Sequence, residues 1–163
     1  MSTGYDLNFQ VQLETDLPLP VARMQQAVEW ILQVHDVAPT TGISIVITDD
    51  SEIQRLNRQF RGIDAPTDVL SFPDEPVPGE DEPYLGDLIL ALPYIQRQAG
   101  EEQHILSDEL VLAVIHGTLH LLGYDHDNAE HQSAMWKKQA EALRVMDVNI
   151  IVPRFEFPDE ADD

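Results

Sequence analysis

Strict alternation of apolar and polar positions runs through Leu7-Asn8-Phe9-Gln10-Val11-Gln12-Leu13, the period of a strand buried on one face. After Pro18 and Pro20 the period changes. Val21, Met24, Ala27, Val28, Ile31 and Leu32 recur at helical spacing, with Pro20 where a first turn tolerates it, and predict a helix to about Val37. The run Gly42 to Thr48 (GISIVIT) is rich in β-branched residues and bounded by turn signals, so it reads as a second strand; parallel pairing with the first would make a βαβ unit. Asp50 or Ser51 can cap a second helix whose Ile53, Leu56 and Phe60 face inward and which Gly62 stops. Val69 to Phe72 and Leu85 to Leu92 predict third and fourth strands, antiparallel to each other. Helical patterns then cover Pro93 to about Gln103, Ser107 to Leu122 and Asn128 to about Met146, with Met135 and Trp136 as core. The predicted class is α+β: a four-stranded mixed sheet with about five helices.

Length and apolar content turn this list of elements into one domain, since 163 residues at 43% apolar can bury one sizeable core but not two. We place that domain at residues 1–152, followed by an acidic tail at 153–163. Between the third and fourth strands, Asp74 to Pro83 carries Pro76, Pro78 and Gly79 among Glu75, Glu80, Asp81 and Glu82, a composition that reads as an exposed acidic loop. No apolar run approaches the roughly 18 residues needed to span a bilayer, and the N-terminus lacks a basic segment leading into an apolar one, which points to a cytoplasmic protein without a membrane partner.

Composition narrows the chemistry. With no cysteine, disulfides, thiolate metal sites and a cysteine nucleophile are excluded, so any metal must be held by His, Asp or Glu. Thirty acidic residues against nine basic ones give a formal charge of -21, which repels RNA and DNA at long range and favours basic proteins or cations as companions.

The stretch His116-Gly117-Thr118-Leu119-His120-Leu121-Leu122-Gly123-Tyr124-Asp125-His126 concentrates what chemistry there is. His116 and His120, four apart in a helical pattern, project from one face with Cβ atoms roughly 5–6 Å apart. Gly123 fits the residue that ends the helix in a left-handed turn, bringing His126 back as a third ligand. Three nitrogen ligands with a fourth position open form a catalytic zinc arrangement, and the spacing matches the metzincin pattern H-E-x-x-H-x-x-G-x-x-H at every ligand. Gly117, however, stands where that pattern has its general base, which weakens a peptidase reading without touching the metal. A second cluster, Arg55, Arg58 and Arg61, holds a third of the positive charge within seven residues. Guanidinium groups so spaced suit phosphate oxygens, or equally a solvated face paired with carboxylates such as Glu52.

Taken together, L-N-x-x-F-R-G-x-D-x-P-T-D-V-L-S-F-P at Leu56 to Pro73, G-D-L-I-L at Gly86 to Leu90 and H-G-x-L-H-L-L-G-Y-D-H at His116 to His126 resemble the YbeY family of bacterial rRNA maturation factors. The resemblance implies a metal-dependent, single-strand-specific endoribonuclease acting in 16S rRNA 3′-end maturation and ribosome quality control, with single-stranded rRNA, the small ribosomal subunit and its basic proteins as partners and no role on DNA. It implies one zinc ion per chain on His116, His120 and His126, and an RNA cleft lined by Arg61, so that Arg61 and His116 are the candidate catalytic residues; the spacing of the arginines makes Arg55, Arg58 and Arg61 the candidate substrate-binding ones. The metal helix is then expected beside the sheet in a zincin-like way. Thr67, Asp68 and Ser71 read more plainly as turn and strand-edge hydrogen bonding. Asp125 reads equally as a partner that orients an imidazole and as a turn residue, while His35, His104 and His131 read as solvated. Two rivals share the metal: a metzincin-like peptidase, and a non-catalytic ribosome assembly factor with a structural metal.

Overall fold

Alternation and β-branching build four strands, and helical periodicity builds five helices, among the residues that this computed structural model describes, 4–74 and 83–150. In chain order they are β1 (Asp6–Val11), α1 (Val21–Val34), β2 (Gly42–Thr48), α2 (Asp50–Arg61), β3 (Val69–Pro73), β4 (Tyr84–Ala91), α3 (Leu92–Glu102), α4 (Leu106–Leu121) and α5 (Ala129–Val145). The sheet order is β1-β2-β4-β3, with β1 and β4 parallel to β2 and β3 antiparallel to β4. This is the mixed α+β arrangement expected from the pattern, including the βαβ start. The centre of the predicted acidic loop (75–82) and the tail (153–163) lie outside the described residues.

Period-two alternation sorts the sheet's side chains onto two faces. One face, carrying Ile43, Ile45, Ile47, Leu88 and Leu90, packs under α1, α4 and α5 in the main core. On the other, Ile53 of α2 meets Leu70 and Ala91, with Leu56, Phe72, Ile89 and Tyr94 around them. Helix α4 is buried nearly all round from Glu109 to Ile115, the signature of a helix in the middle of a core rather than on its surface. It is the spine against which the rest is stacked.

Three departures from the pattern have local causes. The cap of α2 is Asp49, whose carboxylate accepts from the Glu52 amide at 2.8 Å, one residue before the expected position. Phe60 points outward, 59% exposed, and meets Phe72 edge-on, while the buried positions of α2 are Ile53 and Asn57. Helix α1 stops at Val34 because the chain turns left-handed at Asp36 (φ 57°), so Val37 reaches the core from outside the helix.

Two of the three histidines expected in solvent, His35 and His104, are engaged within the fold. His35 spans from the Ile31 carbonyl (2.7 Å) to the Tyr124 hydroxyl (2.9 Å), and His104 lies 2.6 Å from the nearly buried Glu109 carboxylate, giving that carboxylate the partner its burial demands. His131 is exposed and pairs with Asp127 at 2.6 Å. Arg23 of α1 donates to Ser107 (2.6 Å) and Asp108 (3.1 Å) at the start of α4 and to the Met146 carbonyl (3.2 Å) beyond α5.

Candidate metal centre

The last two turns of α4 carry His116 and His120 on one face, with their ring centroids 4.6 Å apart and their Nε2 atoms 3.1 Å apart. Beyond the helix, the Tyr124 amide donates back to the Leu119 carbonyl (3.0 Å) and Gly123 takes φ 102°, reversing the chain in the left-handed region that glycine tolerates. The Asp125 carboxylate then accepts from the His126 amide at 2.8 Å, so Asp125 shapes the turn. His126 comes back to 5.3 Å from His120 and 6.0 Å from His116, centroid to centroid. One nitrogen of each ring lies within 4.8 Å of the others, and all three rings are half-buried.

The donor set fits one small divalent cation. Nitrogens at roughly 2.0–2.1 Å from a tetrahedral zinc are about 3.3–3.4 Å apart, close to the 3.1 Å between the two Nε2 atoms. Burial, and after it the neighbouring His116 and His126, push the His120 pKa down to about 3, so its ring is neutral, the form that binds metal. A hydrogen bond donated by the His120 ring to the Tyr124 backbone opposes this fall, and the charge of Arg61 adds a smaller push in the same direction as the burial.

Helix α5 forms the wall behind the rings. Gln139, 3% exposed, puts its Oε1 2.6 Å from His116 Nδ1, and Trp136, one turn earlier, packs 6.0 Å from the His126 ring. Neither was singled out in the sequence for this role. The available signal was a glutamine in the buried series Met135, Gln139, Ala142 and Leu143 of α5.

Gly117 has a steric reason to be glycine. A Cβ there would stand 2.8 Å from Leu88 Cδ2 and 3.3 Å from Ser71 Oγ, so α4 lies close against β3 and β4, and a side chain at this position requires Leu88 to shift. Ser71 contacts the Gly117 carbonyl at 3.4 Å, and Asp68 accepts from the Val69 amide at 2.8 Å, the strand-edge roles read for them.

The three arginines of α2 differ in their surroundings. Arg55 makes two hydrogen bonds to Glu52 (2.7 and 3.0 Å) and Arg58 sits 3.8 Å from Asp64, both exposed pairs, while Arg61 is the one whose charge reaches His120. A second donor cluster, Glu102, His104 and Glu109, also lies within 4.8 Å, but its ring nitrogen is already bonded to Glu109.

Comparison with known proteins adds an independent line. Residues 10–147 match the family described as Endoribonuclease YbeY. The chain is similar to proteins of that name from Pelotomaculum thermopropionicum, 41% identical over 83% of this chain and 91% of that one, and from Moorella thermoacetica, 48% identical over 76% and 84%. Its fold is similar to the solution structure of a Thermotoga maritima protein, with TM-score 0.54 and 25% identity over 92% of this chain and 99% of that one.

Proposed function

The chain belongs to the Endoribonuclease YbeY family, and on that footing we propose that it is a zinc-dependent, single-strand-specific endoribonuclease of the cytoplasm acting in 16S rRNA 3′-end maturation and ribosome quality control. The observation that carries this reading is the convergence of three half-buried imidazoles, one nitrogen of each within 4.8 Å of the others. In it, His116, His120 and His126 hold one zinc ion. Bound there, zinc supplies Lewis acidity toward a phosphoryl oxygen and activates water near neutral pH.

The remaining work falls to the chain's own groups. His120 stays unprotonated because it is buried beside two other imidazoles. His116 keeps Nε2 turned toward His120 while Nδ1 is engaged by Gln139. Arg61 binds two phosphate oxygens at once and offsets the charge that develops on them as the phosphodiester breaks. Arg55 and Arg58 lie on the same helix and are paired with Glu52 and Asp64 at the surface. With -21 formal charge, the protein meets its RNA best where basic proteins of the small ribosomal subunit present it.

The test is a matched assay of zinc-loaded protein and its His116→Ala variant on single-stranded RNA and on an unstructured polypeptide. RNA cleavage that disappears in the variant is the expected result. Cleavage of the polypeptide instead would support a metzincin-like peptidase, against which the packing at Gly117 argues. Cleavage of neither substrate, with a ribosome defect on deletion, would support an assembly factor with a structural metal.

A further inference from the structure

Of the polar side chains buried among the described residues, Gln139 is the one that touches a ring of the metal centre. An amide on the apolar face of a helix costs roughly 1–3 kcal/mol if left unpaired, and here it is bonded to His116. We infer that Gln139 is a positioning residue that fixes the tautomer of His116, holding its proton on Nδ1 and leaving the Nε2 lone pair for the metal. The inference rests on the reading of the three histidines as a metal site and goes beyond it by assigning a role to α5.

The argument is one of donors and acceptors. A neutral imidazole carries one proton, and whichever nitrogen holds it is closed to a metal. At 2.6 Å from Gln139 Oε1, His116 Nδ1 must be the donor, because a carbonyl oxygen has no proton to give. A reversed amide would offer N–H to Nδ1, drive the proton to Nε2 and block the nitrogen that faces His120. His120 has its own backbone partner at Tyr124, whereas the Nδ1 partner of His116 is a side chain of another element. Gln139 can hold that orientation because Met135, Ala142 and Leu143 lock its stretch of α5 into the core. Partners of this kind typically contribute 10–100-fold in metal affinity.

The test uses the full chain and zinc alone. In the zinc-free protein, long-range nitrogen–proton NMR spectra should show His116 as the Nδ1–H tautomer, a measurement that needs no variant. Gln139→Met keeps the volume and removes the acceptor; it should weaken zinc binding by about 10–100-fold in chelator competition and let His116 populate the other tautomer. Gln139→Glu restores an acceptor and should keep zinc binding within a few-fold of the parent. A parent protein with His116 protonated on Nε2, or a folded Gln139→Met variant that binds zinc as the parent does, would overturn the inference while leaving the metal site standing. Failure of the parent itself to bind zinc would instead overturn the metal reading on which it rests.

Discussion

Two glycines in helices offer the same chemical change with opposite expected signs. Replacing either Gly100 or Gly117 by alanine removes the conformational freedom of one glycine from the unfolded chain and gains up to about 1 kcal/mol of helix propensity. At Gly100, exposed near the end of α3, an added Cβ meets nothing within 4 Å. Gly100→Ala should therefore stabilise the protein by about 0.5–1 kcal/mol. At Gly117 the new methyl lands 2.8 Å from Leu88 Cδ2 and 3.3 Å from both Leu88 Cδ1 and Ser71 Oγ, and Leu88 is fully buried. Overpacking of this kind costs about 1–3 kcal/mol, so Gly117→Ala should be neutral to destabilised by about 2 kcal/mol once the propensity gain of about 1 kcal/mol is subtracted. The unfolded-state term is common to both variants and cancels in the comparison. For a domain of this size a difference of 1 kcal/mol is about 2–4 °C in Tm, well within reach of thermal and urea unfolding of the zinc-free protein. If Gly117→Ala were stabilised as much as Gly100→Ala, α4 would not be pressed against β3 and β4, and the steric reason for glycine there would fall with it.

Four further outcomes follow from the structure. His116→Ala, His120→Ala and His126→Ala should each lose bound zinc by elemental analysis, and full occupancy in any one would remove that residue from the ligand set. Arg61→Ala and Arg61→Lys should both keep fold and zinc and lose RNA cleavage, since an ammonium cannot reproduce the planar fork; near-normal cleavage by either would return Arg61 to a solvated helix face. Burial, and next its hydrogen bond to Asp87, raise the Tyr84 phenol to about 12, so the stability it adds is whole below pH 10 and is lost as pH rises from 10 through about 12; phenolate absorbance in parent and Tyr84→Phe should show that late titration. Cleavage of naked RNA should rise and then fall with salt between about 0.01 and 0.1 M and beyond, because long-range repulsion is screened before short contacts are; neutralising Glu80, Asp81 and Glu82 should move the optimum to lower salt, and a profile that only falls would show that net charge does not govern access.

What could be read from the sequence follows the physics of two-class patterns. Alternation and β-branching delimit β2 to the residue, and the apolar stripe of α1 is the stripe that is buried, because those features act through burial alone. Phe60 has the helical spacing of a core residue yet faces solvent, since spacing says which residues share a face and not how much partner surface lies opposite. Buried polar groups escape such patterns altogether. Gln139, Asn57 and Glu109 are inside only because a specific partner meets each: His116, the Ala65 carbonyl and His104. Of the candidate metal centre, the three rings were visible as spacing on one short segment, whereas their wall on α5 comes from contacts some twenty residues away in the chain that no local period encodes.

The Arg23 brace bears on how the protein opens. A single guanidinium ties α1 to the first turn of α4 and to the carbonyl that follows α5, and the three helices share one core. Fluctuations that expose the amides of one should expose those of all three, so they form one cooperative unit in native-state hydrogen exchange, opening only near the free energy of global unfolding. Helix α2, anchored on the small cluster of the opposite face, can open below that limit. The helices that carry His116, His120 and Gln139 should then belong to the slowest-exchanging part of the molecule and the helix that carries Arg61 to a faster one, so that the two halves of the proposed site are expected to breathe on different clocks.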